Sequence, residues 1–176
     1  MKKILLGITS SIAAYKACDL IRLFVKDNYD VHVVTTENAL NLVSPLTLEV
    51  LSGNPVCFEQ YPEERREMGH IELKTDASLL LVAPATANII GKFAQGIADD
   101  LLSTTFLSVA CPVLIAPAMN PAMYKHPAVQ ENIARLQQWG VTFVDPVFGD
   151  VVCGDQGTGR LADIEIIFRA ALDVIA

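Results

Sequence analysis

Five short segments carry residue types able to do chemistry. Gly7-Ile8-Thr9-Ser10-Ser11 lies between an apolar run and a helical pattern. Its small hydroxyl residues therefore open a helix N-terminus, where unpaired N–H groups and the helix dipole favour an anion. The segment has neither the GxGxxG spacing of a dinucleotide turn nor the Gly-Lys-Ser/Thr ending of a P-loop. A ligand here would be a single phosphate; the alternative is a plain Ser/Thr helix cap. In Ala83-Pro84-Ala85-Thr86-Ala87-Asn88, Thr86 and Asn88 could bond phosphate or ribose, or cap the helix that follows. In the stretch from Ala116 to Tyr124, Pro117 and Pro121 bracket Met119 and Asn120. That stiff turn could aim an uncharged amide at a carboxylate, or hold an ordinary turn asparagine. From Val152 to Arg160, Cys153 is followed by Gly154, Gly157 and Gly159, a composition expected of a movable flap rather than a core element. A thiol beside Asp155 stays protonated near neutral pH, so Cys153 suits proton donation, with a structural cysteine as the alternative. His70, in Gly69-His70-Ile71-Glu72-Leu73, could serve as a base or be a packing residue. His32 and His126 receive no role.

Positioning these segments requires alternating strands and helices. Lys3 to Ile8 reads as a buried strand and Ile12 to Lys26 as a helix whose solvent face carries Lys16, Asp19, Arg22 and Lys26. Val31 to Thr36, Ser78 to Ala83, Val113 to Ala116 and Val141 to Val144 read as further strands. Ser44-Pro45 predicts an N-cap with proline at the first helical position, and Gly53 the end of that helix. Ala128 to Trp139, closed by Gly140, and Asp163 to Ile175 are the later helices. Continuous apolar strands alternating with helices predict a Rossmann-like, flavodoxin-like α/β fold, a doubly wound parallel sheet with helices on both faces. Asn54 to Lys74 and Gly149 to Arg160 break this rhythm and are expected to be functional loops. With no linker or repeat, residues 1–176 are expected to form a single domain.

Composition narrows the partners. Apolar residues make up 52% of the 176, and charged residues 19%, which excludes disorder and hints at surface covered by another subunit. The net charge of −7 argues against nucleic acid or an anionic membrane as partner. No stretch is long enough to span a bilayer. The four cysteines show no CxxC pairing and no clustering with the three histidines. The expectation is a reduced, cytoplasmic protein without metal.

The five segments, in this order, resemble the homo-oligomeric flavin-containing cysteine decarboxylases over essentially the whole chain. Pro117-Ala118-Met119-Asn120-Pro121-Ala122-Met123 matches that family's PxMNxxM core, and Cys153-Gly154-Asp155-Gln156-Gly157 its flap. Residues 83–88 look like its PASANT motif, with Thr86 for serine and Ile89 for the last threonine; Tyr124 stands where tryptophan is usual. The resemblance implies FMN, held by Gly7, Thr9, Ser10, Ser11, Thr35, Thr86, Ala87 and Asn88, with Ala118 near the ring. It implies His70 as base, Asn120 on the substrate carboxylate, Cys153 as proton donor, and Met119, Val152 and Leu161 lining the substrate site. The implied reaction is oxidative decarboxylation of a small-molecule thiol, phosphopantothenoylcysteine, in coenzyme A synthesis. Oxidation at the thiol-bearing carbon supplies the electron sink that a plain alkyl carboxylate lacks. The resemblance further implies a trimer or an assembly of trimers, with His70 able to act on a neighbouring subunit's substrate. Peptidyl-cysteine decarboxylase, flavin prenyltransferase and a non-catalytic flavin-binding regulator are the alternatives. The chain could stand alone or form the first half of a bifunctional protein.

Overall fold

The structure, a computed structural model, describes residues 1–60, 69–150 and 156–176; for residues 69, 70, 72 and 150 it describes the backbone alone. Four apolar runs become the strands β1 (Lys3–Ile8), β2 (Asp30–Thr35), β3 (Ala77–Ala85) and β4 (Val113–Pro117), joined by the short β5 (Thr142–Phe143). They form one five-stranded sheet in the order β2-β1-β3-β4-β5, with every pairing parallel. This is a doubly wound arrangement with its switch point between β1 and β3, where ligands of open α/β sheets bind beyond the strand C-termini.

Side chains alternate across the sheet. Ile4, Leu6 and Ile8 of β1 and Leu79, Leu81 and Ala83 of β3 face one layer, α1 (Ala17–Lys26), α2 (Pro45–Ser52) and α8 (Ile164–Ile175). Leu5, Leu80 and Val82 face the other, which contains α4 (Ala87–Gln95), α5 (Leu101–Ser108) and α7 (Pro127–Gln138). Both faces are covered, so the strands read as unbroken apolar runs. Gly7 belongs to the second face. A Cβ there would come within 2.9 Å of a Leu102 methyl, so the glycine lets α5 lie close to the sheet.

Several expectations change in detail. The expected first helix is a 3-10 turn at Ile12–Lys16 that passes into α1. Ser44 precedes α2, but its side chain makes no capping hydrogen bond; Pro45 at the first position and Gly53 at φ 76° mark the two ends. The segment expected to be an irregular loop contains a short helix, α3 (Gly69–Lys74), lying against α5. The remaining helix is α6 (Pro121–Lys125). The expected flap is, in its described parts, an antiparallel ribbon of β6 (Val147–Asp150) and β7 (Gln156–Arg160). Gly157 is buried there, because its bare Cα faces Pro121. Among the described residues no helix is long and apolar enough to cross a membrane.

Candidate functional site

Three turns meet at the C-terminal edge of the sheet, and backbone bonds fix them to one another. After β1, Thr9 is 1% exposed, and its hydroxyl is consumed internally. Oγ1 donates to the Pro84 carbonyl at 2.8 Å and accepts the Thr86 N–H at 3.0 Å, stapling the first turn to the second. Ser11 caps the 3-10 turn through the Ala13 N–H. After β3, Thr86 caps α4 by accepting the Ile89 N–H, which aims the first N–H groups of a nine-residue helix outward. After β4, the Ala118 N–H donates to the Ala85 carbonyl at 2.9 Å, which ties the third turn to the second. Asn120 caps α6 through Oδ1, which accepts the Ala122 N–H at 2.8 Å, with Pro121 at the first helical position. The proline-bracketed turn is therefore held at both ends.

The ribbon is docked on that third turn. The Met119 N–H donates to the Gly159 carbonyl at 2.9 Å. Gly159 has no room for a side chain, because a Cβ would overlap the Met119 carbonyl oxygen and crowd the Pro121 nitrogen at 3.1 Å. These glycines serve close backbone approach, whereas the sequence had pointed to freedom of movement.

The turns and the ribbon enclose a chamber of about 550 Å³. Of the expected ligand-binding residues it brings together Ser10, Ser11, Thr86, Ala87 and Asn88 with Ala118, Met119, Asn120 and Leu161. Among the described residues its lining contains no carboxylate and two cations, Lys16 and Arg160, on a chain that carries 20 acidic residues and 13 basic ones. A smaller cavity of about 190 Å³ adjoins it, shares Ser10, Thr86 and Asn88 with it, and adds Thr9 and Thr36. At the end of β2, Thr35 Oγ1 and Thr36 Oγ1 are shielded from solvent and have no hydrogen-bond partner among the described residues. Buried hydroxyls are rarely left so unless water or a ligand completes them. Gly7 and Thr35 line neither cavity. A larger, more open groove of about 820 Å³ runs beside α1 and the start of α8; it shares Tyr15 and Lys16 with the chamber but contains none of the strand-end residues.

Lys92, on α4, closes the smaller cavity with Asp100. Burial works against its charge, but hydrogen bonds to Asp100 and Asp99 outweigh it and hold the ammonium above its ordinary pKa. Burial likewise works against the Asp100 carboxylate, while bonds from Lys92 and the Ser103 N–H bring its pKa below the ordinary value. Among the described residues no group of three or more His, Cys, Asp or Glu side chains could hold a metal ion.

Val152 and Cys153 lie outside the described residues, and the His70 side chain lies outside what is described, although its backbone is in α3. Sequence reasoning missed Thr36, Lys92, Arg160 and Met123. Thr36 directly follows the last residue of a strand, a position that could have flagged it. Lys92 lies four residues beyond Asn88, one helical turn along the same face, but a lone lysine on an amphipathic helix carries no signal of its own.

Comparison with known proteins places the chain in a family. Residues 1–175 match the family described as Flavoprotein. The chain is 46% identical over 171 residues to the coenzyme A biosynthesis bifunctional protein CoaBC of Bacillus subtilis strain 168, covering 97% of this chain and 42% of that protein. It thus spans less than half the length of such relatives. Among solved structures, a cysteine-to-serine mutant of PPC decarboxylase, complexed with pantothenoylaminoethenethiol, superposes with a TM-score of 0.86 at 28% identity, covering 96% of this chain and 94% of that one. The FMN-dependent cysteine decarboxylase SpaF does so with a TM-score of 0.83 at 30% identity, covering 99% and 97%. With its family matched over nearly every residue and its strand-end cavities in the place where such folds take ligands, the chain belongs to the Flavoprotein family.

Proposed function

We propose that this chain decarboxylates 4'-phosphopantothenoylcysteine to 4'-phosphopantetheine with FMN as cofactor, a step of coenzyme A synthesis carried out in the cytoplasm. The carrying observation is the chamber of about 550 Å³, without a carboxylate among its described lining residues, in which the three strand-end turns and the docked ribbon converge. The residues present fit FMN. Ser10, Thr86 and Asn88 are common to both cavities, so one elongated ligand can span the two. The Thr36 hydroxyl, on the wall of the smaller cavity and without a partner among the described residues, offers a bond that a phosphate or ribityl chain would complete. Ala118, 3% exposed on the chamber wall, has only a methyl side chain and so leaves room for a ring beside it.

The bound flavin supplies reversible two-electron oxidation at the substrate's thiol-bearing carbon. The protein's part is positioning. The Asn120 amide, fixed by its cap on α6, holds the substrate carboxylate without a positive charge that would stabilise the ground state against loss of carbon dioxide. Cys153, which lies between β6 and β7 in the sequence, returns the proton that makes the product saturated. In the PPC decarboxylase complex a serine-for-cysteine mutant holds an ene-thiol, the species expected when such a proton is withheld. His70 is the base. Lys16 and Arg160 favour a phosphorylated substrate over a neutral peptide.

The assembly is a homotrimer. Ile12 and Tyr15, each 60% exposed, and Met123, 49% exposed, all lie on the chamber wall. An apolar rim of this kind suits closure by a second subunit. The test is flavin uptake followed by substrate addition. The chain should take up FMN, turn yellow, and give a flavin spectrum that responds to phosphopantothenoylcysteine far more than to a cysteine-ended peptide. A protein that cannot be loaded, or that prefers the peptide, refutes this reading.

A further inference from the structure

Lys92 is more enclosed than a lysine without a task needs to be, with a side chain only 18% exposed. Its Nζ lies 2.6 Å from Asp99 Oδ1 and 2.6 Å from Asp100 Oδ2. An ammonium has three donors, so one remains for a ligand. Asp100 cannot turn away, because Oδ1 also accepts the Ser103 N–H at 2.7 Å and the Ser103 hydroxyl at 2.9 Å in the capping box of α5. Lys92 and Asp100 line the smaller cavity together with Glu37, Asn88 and Thr36, whose hydroxyl lacks a partner. The cavity thus offers hydroxyl and amide donors, but it is edged by carboxylates that would repel a phosphate unless something neutralises them.

We infer that Lys92 is a positioning residue for the cofactor's phosphate end, acting chiefly by neutralising Asp100, the carboxylate beside it on the cavity wall, so that a dianion can enter the smaller cavity. The inference rests on the FMN reading above. A lysine serving only to clamp α4 to α5 would make the same ion pairs, but it would not distinguish a phosphorylated flavin from an unphosphorylated one.

Flavin affinities measured by fluorescence quenching separate the two roles, with FMN and riboflavin as probes. Lys92→Met should weaken FMN by about ten- to a hundredfold, the scale of exposing one carboxylate to a dianion in a partly buried site. Riboflavin, lacking the phosphate, should change by about twofold or less. Lys92→Arg should stay near wild type. In Lys92→Met/Asp100→Asn the asparagine still caps α5, so the fold is kept, and most of the lost FMN affinity should return. Equal loss of FMN and riboflavin, or no loss of either, overturns the inference, as does failure of the double variant to recover FMN. Wild-type protein that takes up neither flavin refutes the FMN reading itself, and the inference with it.

Discussion

Gly159→Ala exposes how much of the site depends on one close approach. A Cβ at this position would overlap the Met119 carbonyl oxygen and sit 3.1 Å from the Pro121 nitrogen and 3.3 Å from the Asn120 carbonyl carbon. All three are backbone atoms, so no side-chain rotation relieves the clash. The ribbon must lift from the turn, and the Met119 N–H bond to the Gly159 carbonyl at 2.9 Å must stretch or break. Overpacking of this kind costs about 1–3 kcal/mol, and the hydrogen bond adds about 0.5–1.5 kcal/mol. For a domain of this size that lowers Tm by roughly 3–15 °C. Lifting the ribbon by about an ångström also displaces Gly159 and Arg160 on the chamber wall, and under the proposed function misplacement on that scale costs on the order of a hundredfold in turnover. FMN affinity should hardly change, since among the described residues the ribbon contributes Gly159 and Arg160 to a wall built mainly from the strand-end turns. Thermal melting, FMN titration and steady-state turnover on one preparation form the assay. Gly91→Ala is the control: its Cβ would meet only Asn132 Nδ2 at 3.7 Å, so α4 should gain up to about 1 kcal/mol with activity intact. Wild-type turnover and Tm in Gly159→Ala would refute the docking argument.

Other consequences can be checked separately. Cys153→Ser should still release carbon dioxide while an ene-thiol accumulates, detected by its near-ultraviolet absorbance and by mass; a normal yield of saturated thiol would remove Cys153 from proton donation. Asn120→Asp keeps a capping oxygen for the Ala122 N–H, so fold and FMN binding should persist, yet the added charge facing a carboxylate should reduce turnover by at least about a hundredfold. Retained activity would place the carboxylate elsewhere. Asp100 titrates below its ordinary value, so its contribution to stability is complete above the usual carboxyl range and is lost as pH falls through the lowered native value. Asp100→Asn should therefore show a shallower loss of Tm on acidification, and an unchanged acid limb would contradict the ion-pair assignment.

Legibility in the sequence followed the physics of each element. β1 to β4 were readable because strands covered on both faces need continuous apolar runs, and Gly53 and Gly140, at φ 76° and 88°, ended helices where only glycine is comfortable. α5 was not readable: Leu101, Leu102, Ser103 and Thr105 are all buried, so the helix has no polar stripe to reveal its period. The convergence of the three turns was legible from their common place after strands. The glycine ribbon was misjudged, because glycine spacing alone does not distinguish freedom from close packing; the deciding fact is what lies opposite, here Met119 and Pro121. Thr36 and Lys92 escaped notice since their significance depends on a partnerless hydroxyl and on two carboxylates brought close by α5.

The most direct test of the central claim is mass spectrometry of the product formed when purified, FMN-loaded protein meets phosphopantothenoylcysteine without any added oxidant or reductant. The account predicts stoichiometric loss of carbon dioxide and a saturated thiol, 4'-phosphopantetheine, over many turnovers. Unchanged substrate beside a fully loaded flavin would contradict it.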